Sequence, residues 1–431
     1  MKVIFSSIQW MAFILASSIV APIAIAATFG MDAEATSDLM QRTIFVLGLS
    51  SLLQVYFGHR LPINEGPAGL WWGVFVIYAG LGPTLYGSSD DTLRAIEAGI
   101  LVSGILFIVL SVFGIIEKLS KLFTPVVTGV YLILLVAQLS GSFFNGMLGV
   151  DYLGEHHVQL KVAGICFFLI VFSFIMSQKG SAIIKQYSVL ICLAVGWALF
   201  AIFGLTEPIV HSSKEVISFP GLFVFGKPMF DGGMIATSAL VTLLLLTNLI
   251  ASIRVVEQVL KNNQVKVEET RYRPAGLIAG INQLIAGLFS SVASVPISGA
   301  AGFIATTKIT SRLPFIIGSA FLIVISFFPH VMTFVSALPA PVGYATIFVI
   351  FANLMVPALI EFENVQNKER SRLIIASSLF IGIGAMFVSA DTFKGIPPIL
   401  TSILNNGLIL GTIVAIIVEQ IVMKIGVKER A

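Results

Sequence analysis

Charge is what this chain has least of. Only 11% of its 431 residues are Asp, Glu, Lys or Arg, against about 25% in a soluble globular protein. No stretch is polar enough to form a separate soluble domain. Cysteine is nearly absent: Cys166 and Cys192 both lie in apolar runs, which excludes a disulfide framework and leaves two small buried hydrophobes. Histidine is sparse, and His59, His156, His157, His211 and His330 stand in loops or at the ends of apolar runs. No metal-ligand cluster and no nucleophile–base set can be assembled, so the sequence reads as neither an enzyme nor a cofactor binder. The net charge of +3 offers no nucleic-acid footprint.

Apolar residues fill the space charge leaves. They make up 57% of the chain, and the mean hydropathy is +0.99. Apolar runs occur at 7–28, 41–57, 95–116, 124–141, 160–177, 184–204, 234–254, 274–288, 313–329, 341–359, 372–390 and 400–423, with two interrupted runs at 61–82 and 290–308. Lys2 and Ala24-Ile25-Ala26 imitate a signal peptide, but an apolar run of about 20 residues is too long for one.

Fourteen segments with a cytoplasmic N-terminus place 19 Lys and Arg inside and 6 outside, as the positive-inside rule asks. Dropping either interrupted run puts later basic loops on the wrong side. Both termini are then cytoplasmic, and residues 30–42 and 83–94 read as short outer loops. The outer connection 205–233 carries Phe219, Phe223, Phe225 and Phe230, a composition suited to the membrane interface.

The interrupted run 290–308 is the centre of the reading. Pro296 removes a backbone donor and disfavours helix before it. Ser298 to Thr307 would make a helix of about 15 Å, half of a hydrocarbon core about 30 Å thick. A short strand covers the other half. Irregular backbone survives at that depth only where it is buried in protein or lines a polar cavity, and broken spans are where transporters hold their substrates. The run 61–82 has a matching break, Gly66-Pro-Ala-Gly69 beside Gly299-Ala-Ala-Gly302. Thr124-Pro-Val-Val-Thr-Gly129 likewise pairs with Pro339-Ala-Pro-Val-Gly343. Seven plus seven segments, with seven odd, give an inverted repeat. Two helix N-termini then face one another near the midplane, suiting a small ligand rich in carbonyl oxygens or ring nitrogens.

With these motifs the chain resembles the nucleobase–ascorbate transporter (nucleobase:cation symporter) family over nearly its whole length. The resemblance implies an all-α polytopic protein with segments 3 and 10 each a short strand plus half-helix. It also implies a core domain (1–123 and 234–338), a gate domain (124–233 and 339–431), and elevator-type import of a purine or pyrimidine base, usually with a proton, less commonly Na+. It further implies a plasma-membrane location and a homodimer. The family signature in segment ten is met by Gly302, Thr307 and Lys308, but Gly299 and Ala300 stand where an acid or Gln and an Asn are expected. Gln9 keeps half of a Gln-His pair, Trp10 replacing the His. Asn248 aligns with the family's base-binding Glu in segment eight, with Ser252 one turn on. Gly69 aligns with a stacking aromatic, with Trp71 and Trp72 close by, and Phe351 with a Tyr.

The expected substrate contacts are therefore Asn248, Ser252, Ser298, Gly299, Gly69, Trp71 and Phe351. Ser294 is a weaker candidate. Residues 234–253 contain no acid, so Glu65, beside the segment-three break, is the candidate proton carrier. A carboxylate at membrane depth is costly and points to function. Gln54, Gln138, Asn282, Gln283 and Asn353 read as helix-packing polar residues, and Glu117 and Glu419 as solvated at cytoplasmic ends. Two rivals remain: a small-anion carrier of the same fold, and a non-transporting sensor or scaffold.

Overall fold

The computed structural model describes the chain except residues 1, 116–123, 151, 207–214, 266–270, 364, 366–367, 389–391, 393–399, 401–403, 405 and 429–431. The described chain is mostly helical. Segment one is two helices, α1 (Lys2–Ser18) and α2 (Val20–Thr28). α3 (Ala33–Tyr56) follows, then strand β1 (Glu65–Pro67), α4 (Gly69–Tyr86) and α5 (Ser89–Val112). Next come α6 (Pro125–Met147), α7 (Leu160–Lys179) and α8 (Ala182–Ile202). The second half repeats the order with α9 (Gly232–Asn262), α10 (Tyr272–Leu288), β2 (Ser294–Pro296) and α11 (Gly299–Thr307), then α12 (Arg312–Ser326) and α13 (Pro329–Ser336). α14 (Ala340–Glu363), α15 (Lys368–Met386) and α16 (Gly407–Lys428) complete the chain.

Among the described residues five helices are long and apolar enough to cross a membrane, or six if α12 and α13, bent by 95°, count as one span. The other apolar runs also fold as helices, several of them shorter or interrupted. The two loops expected at 30–42 and 83–94 are shorter than the sequence suggests. Asp32 accepts a hydrogen bond from the Ala35 N–H at 2.8 Å, so α3 already covers most of 30–42. Ser88 accepts from the Asp91 N–H at 3.0 Å and starts α5 within 83–94. Side-chain caps satisfy orphan helix donors, and these polar first turns carry the helices past their apolar runs.

The packing partners repeat with the sequence. α5 packs along α10 as α3 packs along α12. α1 packs on α12 as α9 packs on α5. α7 pairs with α8 as α15 pairs with α16, while α6 and α14 pair with each other. These are the pairings a two-fold relation between the halves requires. Close approaches rest on small residues: a Cβ at Gly104 would lie 2.8 Å from the Gly280 carbonyl, and one at Gly280 2.8 Å from the Gly104 carbonyl. Such small-residue contacts drive helix association in membranes.

The 205–233 connection is tied to α3 and α10. Gln41 donates to the Ser218 carbonyl and hydroxyl, the Phe223 N–H donates to the Leu288 carbonyl, and the Arg42 guanidinium sits 5.6 Å from the Phe225 ring centre. The interfacial aromatic composition read from the sequence thus covers helix ends. Glu419 departs from its solvated reading. It is 7% exposed, and the Thr124 hydroxyl donates to its carboxylate at 2.8 Å, so it ties α16 to the start of α6.

Candidate functional site

The two broken segments meet as a two-stranded antiparallel pair, with Glu65 opposite Pro296 and Pro67 opposite Ser294. Flanking hydrogen bonds extend the pair at both ends, from the Ala68 N–H to the Ala293 carbonyl (2.8 Å) and from the Ile297 N–H to the Asn64 carbonyl (2.9 Å). The prolines explain why the chain cannot simply continue as helix here. A crossed pair of strands is how this backbone satisfies itself away from water.

Beyond the pair, the two helices differ in length. α11 has nine residues, about 14 Å, and is a half-helix as expected. α4 has 18, about 27 Å, so segment three is a strand plus a nearly full-length helix. No breaker stops it before Gly87, and Pro83 in its last turn is accommodated.

The start of α11 is the open end. Ser298, Gly299 and Gly302 are exposed while Val295, Pro296, Ala300 and Ala301 are buried. The N–H groups of Ser298 and Gly299 make no hydrogen bond among the described residues; that of Ala300 reaches the Ile297 carbonyl at 3.2 Å. A Cβ at Gly302 would meet nothing within 4 Å, and one at Gly299 only Ile297 and, at 3.8 Å, the Phe13 ring. α11 packs against α9 on one side and α8 on another.

Asn248, half-buried on α9, donates to the Pro296 carbonyl at 3.1 Å, and Ser252, one turn on and fully buried, donates to the same oxygen at 2.9 Å. Both therefore position the strand end, and Ser252 has no exposed surface. The Asn248 carbonyl oxygen takes no hydrogen bond from the described residues. Gly69 is the half-buried first residue of α4. Trp71 has no exposed surface and belongs to the packed core, and Trp72 lies 5.1 Å from the Phe143 ring. The structure brings Asn248 to the strand end that leads into Ser298 and Gly299, while Trp71 is packed in the core. Phe351 lies on α14, and its side chain is outside the described residues.

The signature residues have visible backbone work. Thr307 donates to the Phe303 carbonyl at 2.8 Å and accepts from the Ile309 N–H. Lys308 closes α11 in the left-handed region, φ 59°. Gln9 is half-buried on α1, one turn before Phe13. Trp10 packs 4.2 Å from Phe303 and 5.1 Å from Phe315, filling the space behind α11 with hydrocarbon.

Glu65 is 1% exposed. Its N–H donates to the Ser51 hydroxyl at 3.0 Å, and its Oε2 accepts from the Ser294 hydroxyl at 2.8 Å. Gln283, expected to be a packing residue, donates to the Ser294 carbonyl at 2.8 Å. Two features escaped the sequence reading. Phe13 is an aromatic at the open helix start, its ring 3.8 Å from a Cβ placed at Gly299, signalled only by its four-residue spacing from Gln9. Glu97 is a second buried carboxylate, accepting from the Ser290 hydroxyl at 2.5 Å; its run 95–116 reads as plain apolar span.

A polytopic helical fold with a crossed pair of broken spans and an open helix start is the architecture of a membrane transporter. The chain belongs to the Permease family, whose model matches residues 1–390. It is 45% identical, over 97% of its length and 96% of the relative's, to the Bacillus subtilis (strain 168) protein named "Putative purine permease YwdJ". It is 24% identical to the xanthine permease of the same organism, over 97% of this chain and 93% of that protein. It is 25% identical to that organism's uric acid permease PucK, over 95% and 93%. In fold it is similar to the transmembrane domain of a cyanobacterium bicarbonate transporter BicA, with TM-score 0.62, 13% identity, and 95% and 96% of the two chains covered. Murine Slc26a9 gives TM-score 0.62 at 11% identity over 98% of this chain and 69% of that one. That shared fold is a seven-plus-seven inverted repeat.

Proposed function

We propose that this protein is a secondary transporter for a purine-type nucleobase, held at the start of α11. The observation that carries the reading is the exposed Ser298–Gly299 helix start beside the Asn248 amide. Two backbone donors and one side-chain carbonyl acceptor match the alternating edge of an oxidised purine. Phe13 supplies an apolar wall beside them. The sequence relatives named for purines, xanthine and uric acid support the same substrate class. The likeness to anion carriers extends to fold alone and gives no support to an anion.

The reading extends to fourteen spans, cytoplasmic termini and a plasma-membrane location, on the strength of the Lys and Arg distribution. It also takes α1–α5 and α9–α13 as a core moving against a gate of α6–α8 and α14–α16. The repeated packing partners support that division, and the hydrogen bonds of Ser218 and Phe223 to Gln41 and Leu288 favour counting the end of the 205–233 connection with the core. Glu65 is the proton carrier in this scheme. The apolar face of α7, where Phe167, Phe168, Val171 and Phe174 are exposed, is available to lipid or to a second copy.

The test is thermal stabilisation of the purified protein by xanthine, uric acid, guanine, hypoxanthine, uracil, sulfate and bicarbonate. A ligand that binds the folded state raises its stability by mass action. A shift with one purine, lost in Asn248→Ala, is the expected result. A shift with anions alone would replace the nucleobase by an anion. No shift with any of them would leave the non-transporting reading.

A further inference from the structure

Beside the strand pair, two buried oxygens have no hydrogen-bond partner among the described residues. Glu65 Oε2 takes the Ser294 hydroxyl, and its Oε1 takes nothing among the described residues. Gln283 spends its amide N–H on the Ser294 carbonyl, which fixes the amide's orientation, and its Oε1 takes nothing either. Both side chains end on the same residue, and both are 1% exposed. A carboxylate oxygen and an amide oxygen are acceptors, so neither can satisfy the other. A buried polar group without a partner is costly, and a buried bare carboxylate more so.

No cation relieves this among the described residues. The charged residues on the elements packed around Glu65 are Glu34, Asp38 and Arg42 of α3, Lys2 of α1 and Arg273 of α10, β2 has none, and the carboxyl's one side-chain partner among the described residues is Ser294. One particle turns two orphan acceptors into a bonded pair, and that is a proton on Glu65 Oε1.

We propose that Glu65 and Gln283 hold a single proton between them, Glu65 as the acid O–H donating to the Gln283 carbonyl, and that this pair is the ion-coupling site of the transporter. The role in transport rests on the permease reading; the shared proton does not. The proton comes from water on one side and leaves to water on the other, with no other bond made or broken. Its occupancy is linked to the substrate end through the backbone. Glu65 lies opposite Pro296 on the paired strands, and the Pro296 carbonyl is the oxygen that Asn248 and Ser252 hold. Losing the proton frees the Glu65–Gln283 contact on one face of the pair and so alters the strand end that starts α11 on the other. Gln283 is then the residue that makes the site select a proton, by offering it an acceptor.

The experiment is infrared difference spectroscopy of the full-length protein in lipid nanodiscs across a pH titration, with proton-gradient-driven uptake of xanthine measured in parallel. A protonated-carboxyl C=O band in the wild type, absent in Glu65→Gln and shifted in Gln283→Leu, is expected. Gln283→Asn, which keeps the amide but shortens the reach, should shift the same band and serves if the leucine variant does not fold. Uptake should lose its dependence on the proton gradient in Glu65→Gln. A wild type without a band removed by Glu65→Gln, or a band unmoved by both Gln283 variants, would overturn the pairing. Loss of the band on adding sodium at constant pH would install a sodium ion in place of the proton and also overturn it. A normal band in a protein that carries no base would instead count against the permease reading and leave the pair standing.

Discussion

The two broken segments of the inverted repeat are built differently. The first break, 65–69, is largely closed: Glu65, Gly66 and Ala68 are buried, Pro67 and Gly69 are half-buried, and Trp71 just beyond has no exposed surface. The second, 294–299, is sealed through Pro296 and then opens at Ser298 and Gly299. The helices differ accordingly, 18 residues after the first break and nine after the second. A two-fold arrangement of backbone therefore carries a one-sided chemistry. The first break supplies the buried carboxylate and a mostly buried floor, and the second supplies open donors. An inverted repeat needs only its backbone to be symmetric; the side chains are free to divide the labour.

Substituting one glycine in the first break and one in the helix that follows the second separates floor from opening, and gives the largest expected effect. A Cβ at Gly66 would lie 2.6 Å from Ile297 Cγ1, inside the strand pair. Gly66→Val is expected to destabilise the protein by about 1–3 kcal/mol, as overpacking does, and to abolish uptake. Gly302→Ala places its methyl in open space. It should leave the melting temperature unchanged or slightly raised, since Ala is favoured over Gly in a helix interior by roughly 0.5–1 kcal/mol. Base affinity should nevertheless fall about tenfold or more, because a methyl group in a fitted pocket costs on that order. Melting curves and ligand titrations on the two proteins check both halves. Equal destabilisation by the two substitutions would erase the distinction between the breaks.

A smaller effect is expected at the Pro296 carbonyl, where the floor and the opening join. It accepts from both Asn248 and Ser252, so either donor alone can keep it satisfied. Ser252→Ala should cost about 1 kcal/mol, the net worth of one hydrogen bond, with base affinity nearly unchanged. Asn248→Ala should cost a similar amount of stability and, in addition, most of the base affinity. The double variant should lose more than the sum, because the buried oxygen is then left bare. A double-mutant cycle in thermal unfolding reads the coupling. Additivity would mean that the two donors do not share their acceptor in the working protein.

The same division decides what could be read in the sequence. The strand and half-helix at 294–307 were legible because Pro296 and the serine–glycine cluster break an apolar run whose length is fixed by the membrane. The half-helix after Gly69 was misjudged in length because nothing in its residues marks where membrane ends and helix continues. Caps such as Asp32 and Ser88 were hidden for the related reason that a polar turn reads as loop whether or not it winds. Asn248 was legible as a polar group in an apolar run, but its pinning of Pro296 depends on which way α9 turns. Glu65 stood out because an acid is conspicuous beside a break, and Glu97 did not because its surroundings are plain span. Gln283 looked like packing and does pack; only its unfilled oxygen suggests more. The fold is written in spacings along one dimension, whereas the site is written in contacts between segments hundreds of residues apart.

The smallest effect concerns how the two helices end, and it tests whether signature residues at the second break serve backbone or substrate. α4 ends at Gly87 with φ 88°, and α11 ends at Lys308 with φ 59°. Both occupy the left-handed region, which a residue with a Cβ enters at a cost of roughly 1–2 kcal/mol and glycine enters freely. Lys308→Gly should therefore hold or raise the melting temperature, by up to about 1 kcal/mol of stability, while Gly87→Lys should lower it by about the same amount. Nothing in the geometry brings the Lys308 side chain to the open start of α11, nine residues away along the helix. Base affinity in Lys308→Gly is accordingly expected to match the wild type, measured by the same ligand titration. A glycine variant that folds well yet binds no base would move Lys308 from the end of the helix into the substrate's environment. The lysine would then be kept for its charge, at the expense of the strain that its backbone carries.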